Sequence, residues 1–250
     1  MQKKYILFFL IILLTSSCVQ RQWIISESTS VKIALDSATD ATADNSYTEW
    51  LHPYKQKIDA EMNVVIGYAA ETMRAHKPES LLSNFSADVY LKVASDHLKT
   101  PVDMSVVNLG GLRTQVPQGT ITMRKVFELM PFENELVVVW IRGDKLLELL
   151  NGFAAVGGQG VAGVRMTITN GKATDITVAG KALDTQRLYS IATNDYLAGG
   201  NDNMPQLAMY EKRENTGLKV RNILLGFIKG ETAAGRKIES RLDGRIRQTP

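Results

Sequence analysis

Ten consecutive apolar residues, Tyr5 to Leu14, follow Lys3 and Lys4 and lead into Thr15-Ser16-Ser17-Cys18. This opening constrains what the rest can fold into. Ten residues are too few to cross a bilayer as a helix, which takes about 20. Small residues behind such a run are what a signal peptidase reads. Residues 1–17 are therefore expected to be a leader outside the fold. Cys18 is the only cysteine, so no intramolecular disulfide is available and the body must hold together by burying apolar surface. In a chain of 250 residues, 44% hydrophobic and 22% charged is globular composition. That length suits one full core better than two large domains.

The small residues before Cys18 resemble a bacterial lipobox, in which the cysteine is lipidated and becomes the new N-terminus. Several acyl chains on one residue anchor a protein stably. The alternative is an ordinary signal peptide with Cys18 incidental. Lipidation is the expectation taken here, with the body in the cell envelope and facing the periplasm. Residues 18–46 read as a tether, because Asp36 to Ser46 contains only Ala, Asp, Ser, Thr and one Asn. Trp23 to Ile25 and Val31 to Leu35 are candidate short strands within it. Residues 47–250 read as one domain.

The formal net charge is +3, and Lys3 and Lys4 lie in the leader, so the mature body is nearly neutral. That balance argues against a nucleic-acid track or a polybasic membrane patch. His52, His76 and His97 are the only histidines, which argues against a Cys/His zinc site.

Periodicity predicts a helix over Tyr47 to Glu61, with Trp50, Tyr54, Ile58 and Met62 on one stripe. Val64 to Tyr68 reads as a strand. Pro78 to Lys99 is a helix with Leu82, Phe85, Val89 and Val93 on one face and Pro78 at its start. Met104 to Val107 is a buried strand. Thr122 to Met130 is a short helix capped by Thr122. Leu136 to Ile141 is a strand, and Lys145 to Asn151 a helix ended by Gly152. Val164 to Ile168 and Ile176 to Val178 flank an Asn170-Gly171 hairpin signal. Leu188 to Thr193 is a strand, and Leu218 to Lys229 a helix ended by Gly230. The mixture is not a strict βαβ alternation, so the fold class is α+β, with layered sheets and helices.

Three segments carry candidate chemistry. In Asn108-Leu109-Gly110-Gly111-Leu112-Arg113, paired glycines permit close backbone approach to a ligand, and Arg113 can fork onto a phosphate or carboxylate. The same spacing also fits a tight turn with a surface arginine. In Met130-Pro131-Phe132-Glu133-Asn134, a ring on a loop offers a stacking face for a base, or else it is a core phenylalanine under a proline turn. In Tyr196-Leu197-Ala198-Gly199-Gly200-Asn201-Asp202, an aromatic, two glycines and an acid end a strand. A carboxylate there can accept from a ribose diol, or it caps a glycine-rich turn. No Asp-x-His, Gly-Asn-His, Gly-x-Ser-x-Gly or Walker-type motif occurs. The sequence thus offers no catalytic residue and no metal ligand set of the kind that metal-assisted phosphoester hydrolysis needs.

Taken in order, these motifs resemble the C-terminal domain of the 5'-nucleotidase and UDP-sugar hydrolase family. The resemblance rests on Glu79, Asn84 and Asp88; Asn108 to Arg113; Gly119 to Thr122; Pro131 to Asn134; Gly163 before Val164; Tyr196 to Asp202; and Asp243-Gly244-Arg245-Ile246. It covers roughly residues 47–246. It implies the fold of that domain and a nucleotide site in which Phe132 and Tyr196 clamp the base. Asp202 would hold the ribose hydroxyls, and Asn108 would contact the base or its surroundings. Gly163 would supply backbone beside the sugar. Arg113 would meet the phosphate, next to the Gly110-Gly111 turn. The family's upstream arginine falls near His76, with Arg74 two residues before it. The family's divalent metals sit in a separate metallophosphatase domain, so the resemblance implies no cofactor in this chain. The expected function is nucleotide recognition for 5'-nucleotidase-type hydrolysis in nucleotide salvage, with a separately encoded metallophosphatase as partner. The alternative is a nucleotide- or nucleoside-binding envelope lipoprotein without catalysis.

Overall fold

A computed structural model describes residues 24–34 and 44–249. The expected leader at 1–17 and Cys18 lie outside the described residues. Residues 24–34 carry no helix or strand, so the short strands expected around Ile24 and Val31 do not form there. The chain divides into two units, Met1–His52 and Pro53–Pro250. Helix α1, Asn45–Met62, runs across that division, and none of its residues is buried. Periodicity anticipated the helix but not its surroundings, because the Trp50, Tyr54 and Ile58 stripe is exposed.

The second unit is built on a five-stranded sheet. In chain order its strands are β2 (Met104–Val107), β4 (Glu135–Arg142), β5 (Gly160–Ala162), β9 (Leu188–Asn194) and β10 (Lys212–Lys219), with spatial order β10-β4-β9-β2-β5. Leu136 to Val139 and Ile141 are all fully buried, which is why β4 reads as a continuous apolar run rather than an alternation. Both faces of the sheet are covered. On one face Leu136, Val138, Val107 and Ala192 meet α2 (Leu81–Leu98) and α6 (Val220–Ala233). On the other, Val137, Val139, Ile141 and Val106 meet α4 (Gly143–Ala155) and the strands β6 (Val164–Thr169) and β7 (Lys172–Val178). A four-stranded sheet, β11-β6-β7-β8, includes β8 (Lys181–Ala182) and β11 (Ile246–Gln248), while β1 (Val65–Ala69) pairs with β3 (Gly119–Thr122). The fold is layered α+β, as expected.

Local chemistry explains where elements start and stop. Helix α2 begins at Leu81 rather than Pro78, because the Ser80 hydroxyl accepts from the Ser83 amide at 3.3 Å. Thr122 caps α3 (Met123–Leu129) as expected, accepting from the Lys125 amide at 3.2 Å. Each such cap stabilises by about 1 kcal/mol. Two expected glycine stops are displaced. Gly152 lies inside α4 and Gly230 inside α6, and the left-handed glycines come later, at Gly157 (φ 84°) and Gly235 (φ 72°). Asn170 and Gly171, at φ 50° and 72°, form the tight β6–β7 turn between paired Thr169 and Lys172.

Candidate functional site

Sheet register brings distant segments to one edge. Strand β2 runs parallel to β9, pairing Met104 with Ile191, so both end on the same side. Strand β4 is antiparallel to β9 and pairs Leu136 with Asn194, so it begins on that side. Asn108 follows β2, Phe132 precedes β4, and Tyr196 follows β9. The three segments therefore converge from separate stretches of chain. Among the described residues they line a cleft of about 660 Å³, within the roughly 300–1,000 Å³ of small-molecule sites.

Seven of the eight expected ligand-contacting residues line this cleft: Asn108, Gly110, Gly111, Arg113, Phe132, Tyr196 and Asp202. Phe132 and Tyr196 are each 43% exposed. Neither ring is folded into the core, where an aromatic under a proline turn would normally go. Asp202 is held from two sides. The Asn108 amide nitrogen donates to Oδ2 at 2.5 Å and the Tyr196 hydroxyl donates to Oδ1 at 2.9 Å. The hydrogen bond to Asp202 is the main reason the Tyr196 phenol is pushed above its ordinary value, with burial and the nearby negative charge adding to it. Arg113 donates to the Gly110 carbonyl at 3.1 Å. A side chain at Gly111 would lie 2.6 Å from Asn108 Oδ1, whereas one at Gly110 would meet nothing within 4 Å. Gly111 therefore makes room for Asn108, and Gly110 leaves the cleft wall open.

The segments are also tied to each other. Asp195 Oδ1 accepts from the Asn134 amide and from the backbone N–H of Tyr196, both at 2.8 Å. That bond pins the Phe132 loop to the start of α5 (Asp195–Ala198), which carries Tyr196. Asn201 donates to the Tyr196 carbonyl at 2.7 Å. This residue is the one that separates the glycine pair from Asp202. Asp202 and Asn203 take left-handed φ of 54° and 58°, conformations that short polar side chains tolerate best.

Gly163, expected beside the sugar, does not line this cleft. It sits between β5 and β6, on a second cleft with Asp88, Arg165, Asp243 and Arg245. Its φ is +75°, and a Cβ there would stand 2.3 Å from the Asp103 carbonyl oxygen. Backbone geometry alone demands glycine. Glu79, Asn84 and Asp88 likewise lie outside the cleft and clasp the C-terminal segment. Glu79 accepts from Asn84 at 2.7 Å and from the Asp243 amide at 2.9 Å, and Arg245 reaches Asp88 at 2.8 Å. Arg74 donates to Gln115, and His76 lies 3.3 Å from the Lys77 carbonyl. Neither lines the cleft.

Met130, Glu133, Asn134 and Asn194 also line the cleft and were not singled out from the sequence. The first three lie in the segment quoted for Phe132, so adjacency was the available signal. Asn194, which caps α5 by accepting from the Leu197 amide at 2.8 Å, offered none. Among the described residues, no group of three or more His, Cys, Asp or Glu side chains is placed to hold a metal ion. The donor set of a dinuclear phosphoesterase centre is thus not assembled by them.

Comparisons with known proteins point to one family. Residues 63–209 match the family model described as "5'-nucleotidase, C-terminal domain", a stretch that contains the whole cleft. A 5'-nucleotidase of Vibrio vulnificus is 28% identical over 192 residues, covering 74% of this chain and 34% of that protein. A trifunctional nucleotide phosphoesterase of Bacillus subtilis is 28% identical over 219 residues, covering 79% of this chain and 15% of that protein. The crystal structure of a 5'-nucleotidase precursor from Thermus thermophilus superposes with a TM-score of 0.69 at 27% identity, over 83% of this chain and 44% of that one. The chain spans about a third of the length of the Vibrio relative. With more than half of its residues inside the matched region, the chain belongs to the 5'-nucleotidase C-terminal domain family.

Proposed function

We propose that this chain is a nucleotide-recognition protein that holds the base between Phe132 and Tyr196. Asp202 takes the ribose hydroxyls and Arg113 faces the phosphate. The observation that carries the reading is the shared cleft, where two half-exposed rings from separate segments line the same space as a fixed carboxylate. A carboxylate has about four lone-pair sites. Asn108 and Tyr196 use one on each oxygen, which leaves one on each oxygen for a cis-diol. Asp202 is thus already oriented before a ligand arrives, and less ordering is needed on binding.

On this reading the chain acts in nucleotide salvage with a separately encoded metallophosphatase, anchored through Cys18 at the periplasmic side of the envelope. The partner would supply the metals and the attacking water. This chain would supply binding energy remote from the reacting phosphorus, which positions the phosphate for attack. Without such a partner, the same cleft would make the chain a nucleotide- or nucleoside-binding lipoprotein.

Titration calorimetry with adenosine monophosphate tests the site. Stacking contributes about 1–3 kcal/mol per face, so Phe132→Ala and Tyr196→Ala should each weaken binding by roughly 5- to 150-fold without loss of folding. No binding by the wild type sinks the reading. A pull-down and paired assay with a metallophosphatase encoded beside this chain tests the partnership. Neither association nor gained nucleotidase activity would reject it.

A further inference from the structure

The wall beside the proposed stacking ring carries a carboxylate whose position is set from below. Arg221, on α6, is only 8% exposed. Its guanidinium lies 4.2 Å over the Phe127 ring, donates to the Phe132 carbonyl at 3.4 Å, and pairs with Glu133 Oε1. Glu133 itself is largely solvent-exposed, with 67% of its side chain accessible, and lines the cleft between Phe132 and Asn134. Among the described residues, Glu133 Oε2 has no hydrogen-bond partner. One buried arginine thus holds both the backbone under the ring and the carboxylate next to it.

A carboxylate only accepts hydrogen bonds. Set beside a ring on which a base stacks, it favours an edge that presents N–H groups and disfavours a carbonyl. We infer that Glu133, positioned by Arg221, is a specificity element that selects amino-bearing bases over their keto or unsubstituted counterparts. The inference rests on the stacking site proposed above. Cytosine against uracil and guanine against hypoxanthine are the informative pairs, because the first member of each carries an exocyclic amine that the second lacks. The unpaired Oε2 accepts from the amine of the first member. The O4 carbonyl of uracil repels it, and hypoxanthine offers only its ring N1–H, without the amine that guanine adds beside it.

Neutral nucleosides isolate this effect, because a carboxylate would also repel the phosphate of any nucleotide. Calorimetry on the wild type should give cytidine and guanosine affinities on the order of tenfold above those of uridine and inosine, the range of a single hydrogen bond to a charged group. Glu133→Gln keeps an oxygen for Arg221 and presents its NH2, which only donates, so the cytidine preference should vanish or reverse and the guanosine preference should fall toward one, with an unchanged melting temperature. If no nucleoside binds, the stacking site and this inference fall together. If nucleosides bind but the wild type shows no preference within either pair, the stacking site stands and the role of Glu133 is overturned, whatever the variant does. A preference that survives in Glu133→Gln overturns it as well.

Discussion

Gly111 is the point where backbone space and ligand site are most tightly coupled, and Gly111→Ala isolates that coupling. Its φ is not left-handed, so alanine brings no backbone penalty of the αL kind. The new methyl would stand 2.6 Å from Asn108 Oδ1 and 3.2 Å from its Cγ, whereas non-bonded atoms settle at about 3.5–4.0 Å. The Asn108 amide must therefore move by roughly 1 Å. That displacement breaks its 2.5 Å bond to Asp202 and leaves the carboxylate steered by Tyr196 alone. A hydrogen bond to a charged group is worth about 1.5–3 kcal/mol. Asp202 is exposed and water can replace the lost donor, so the expected cost to stability is about 1 kcal/mol, or roughly 2–4 °C in Tm. Nucleoside affinity should fall by about fivefold or more, since Asp202 loses its orientation. Gly110→Ala, which meets nothing within 4 Å, serves as the matched control and should melt like the wild type. Thermal denaturation and calorimetry read both effects. A Gly111→Ala variant that melts like Gly110→Ala and binds nucleoside like the wild type would refute the claim that Gly111 exists to seat Asn108.

Three further outcomes follow from the same geometry. The Tyr196 phenol is held above its ordinary value of 10.0 chiefly by its bond to Asp202, so ultraviolet titration should find Tyr196 ionising late alongside the buried Tyr90, and Asp202→Asn should bring Tyr196 alone down. Because that folded-state value is raised, the associated stabilisation is present below pH 10 and lost as pH rises through the folded value. Burial pushes the Asp243 carboxyl up, but the bonds and charge of Arg245, helped by Arg165, outweigh it and leave the group below 3.8. Its contribution is present above pH 3.8 and lost as pH falls through the lowered value, so acid unfolding of Asp243→Asn should depend less steeply on pH there. Gly163→Ala forces a left-handed alanine against the Asp103 carbonyl and should cost at least about 1–3 kcal/mol in a melting experiment. The variant should keep wild-type ligand affinity, because Gly163 lies on the other cleft.

Much of the molecule was legible in its sequence because local and global signals coincided. The Met104 to Val107 strand, the Leu82, Phe85, Val89 stripe and the Asn170-Gly171 turn were read from runs, periodicity and turn chemistry, and all formed. Strand β10 was missed because Lys212 to Lys219 has little apolar character and sits at the sheet edge. Gly152 and Gly230 misled because a single helical glycine is tolerated and the left-handed residue that ends each helix lies further on. The cleft was legible only from the motifs taken together in order, because each glycine pair, ring or acid alone fits a turn or a core residue at least as well. Gly163 shared that signature but answers to backbone geometry elsewhere. Glu79, Asn84 and Asp88 fell in the motif series, and their work is to clasp the Asp243 to Arg245 segment. The Arg221–Glu133 pair was invisible, because no sequence pattern links a helix residue to a loop so far away in the chain.

The proposed function depends on where a base comes to rest. A crystal structure of the protein soaked with adenosine monophosphate should show the purine plane lying between the Phe132 and Tyr196 rings, with the ribose hydroxyls on Asp202. A purine bound elsewhere on the molecule, or a cleft left vacant at saturating nucleotide, would contradict it.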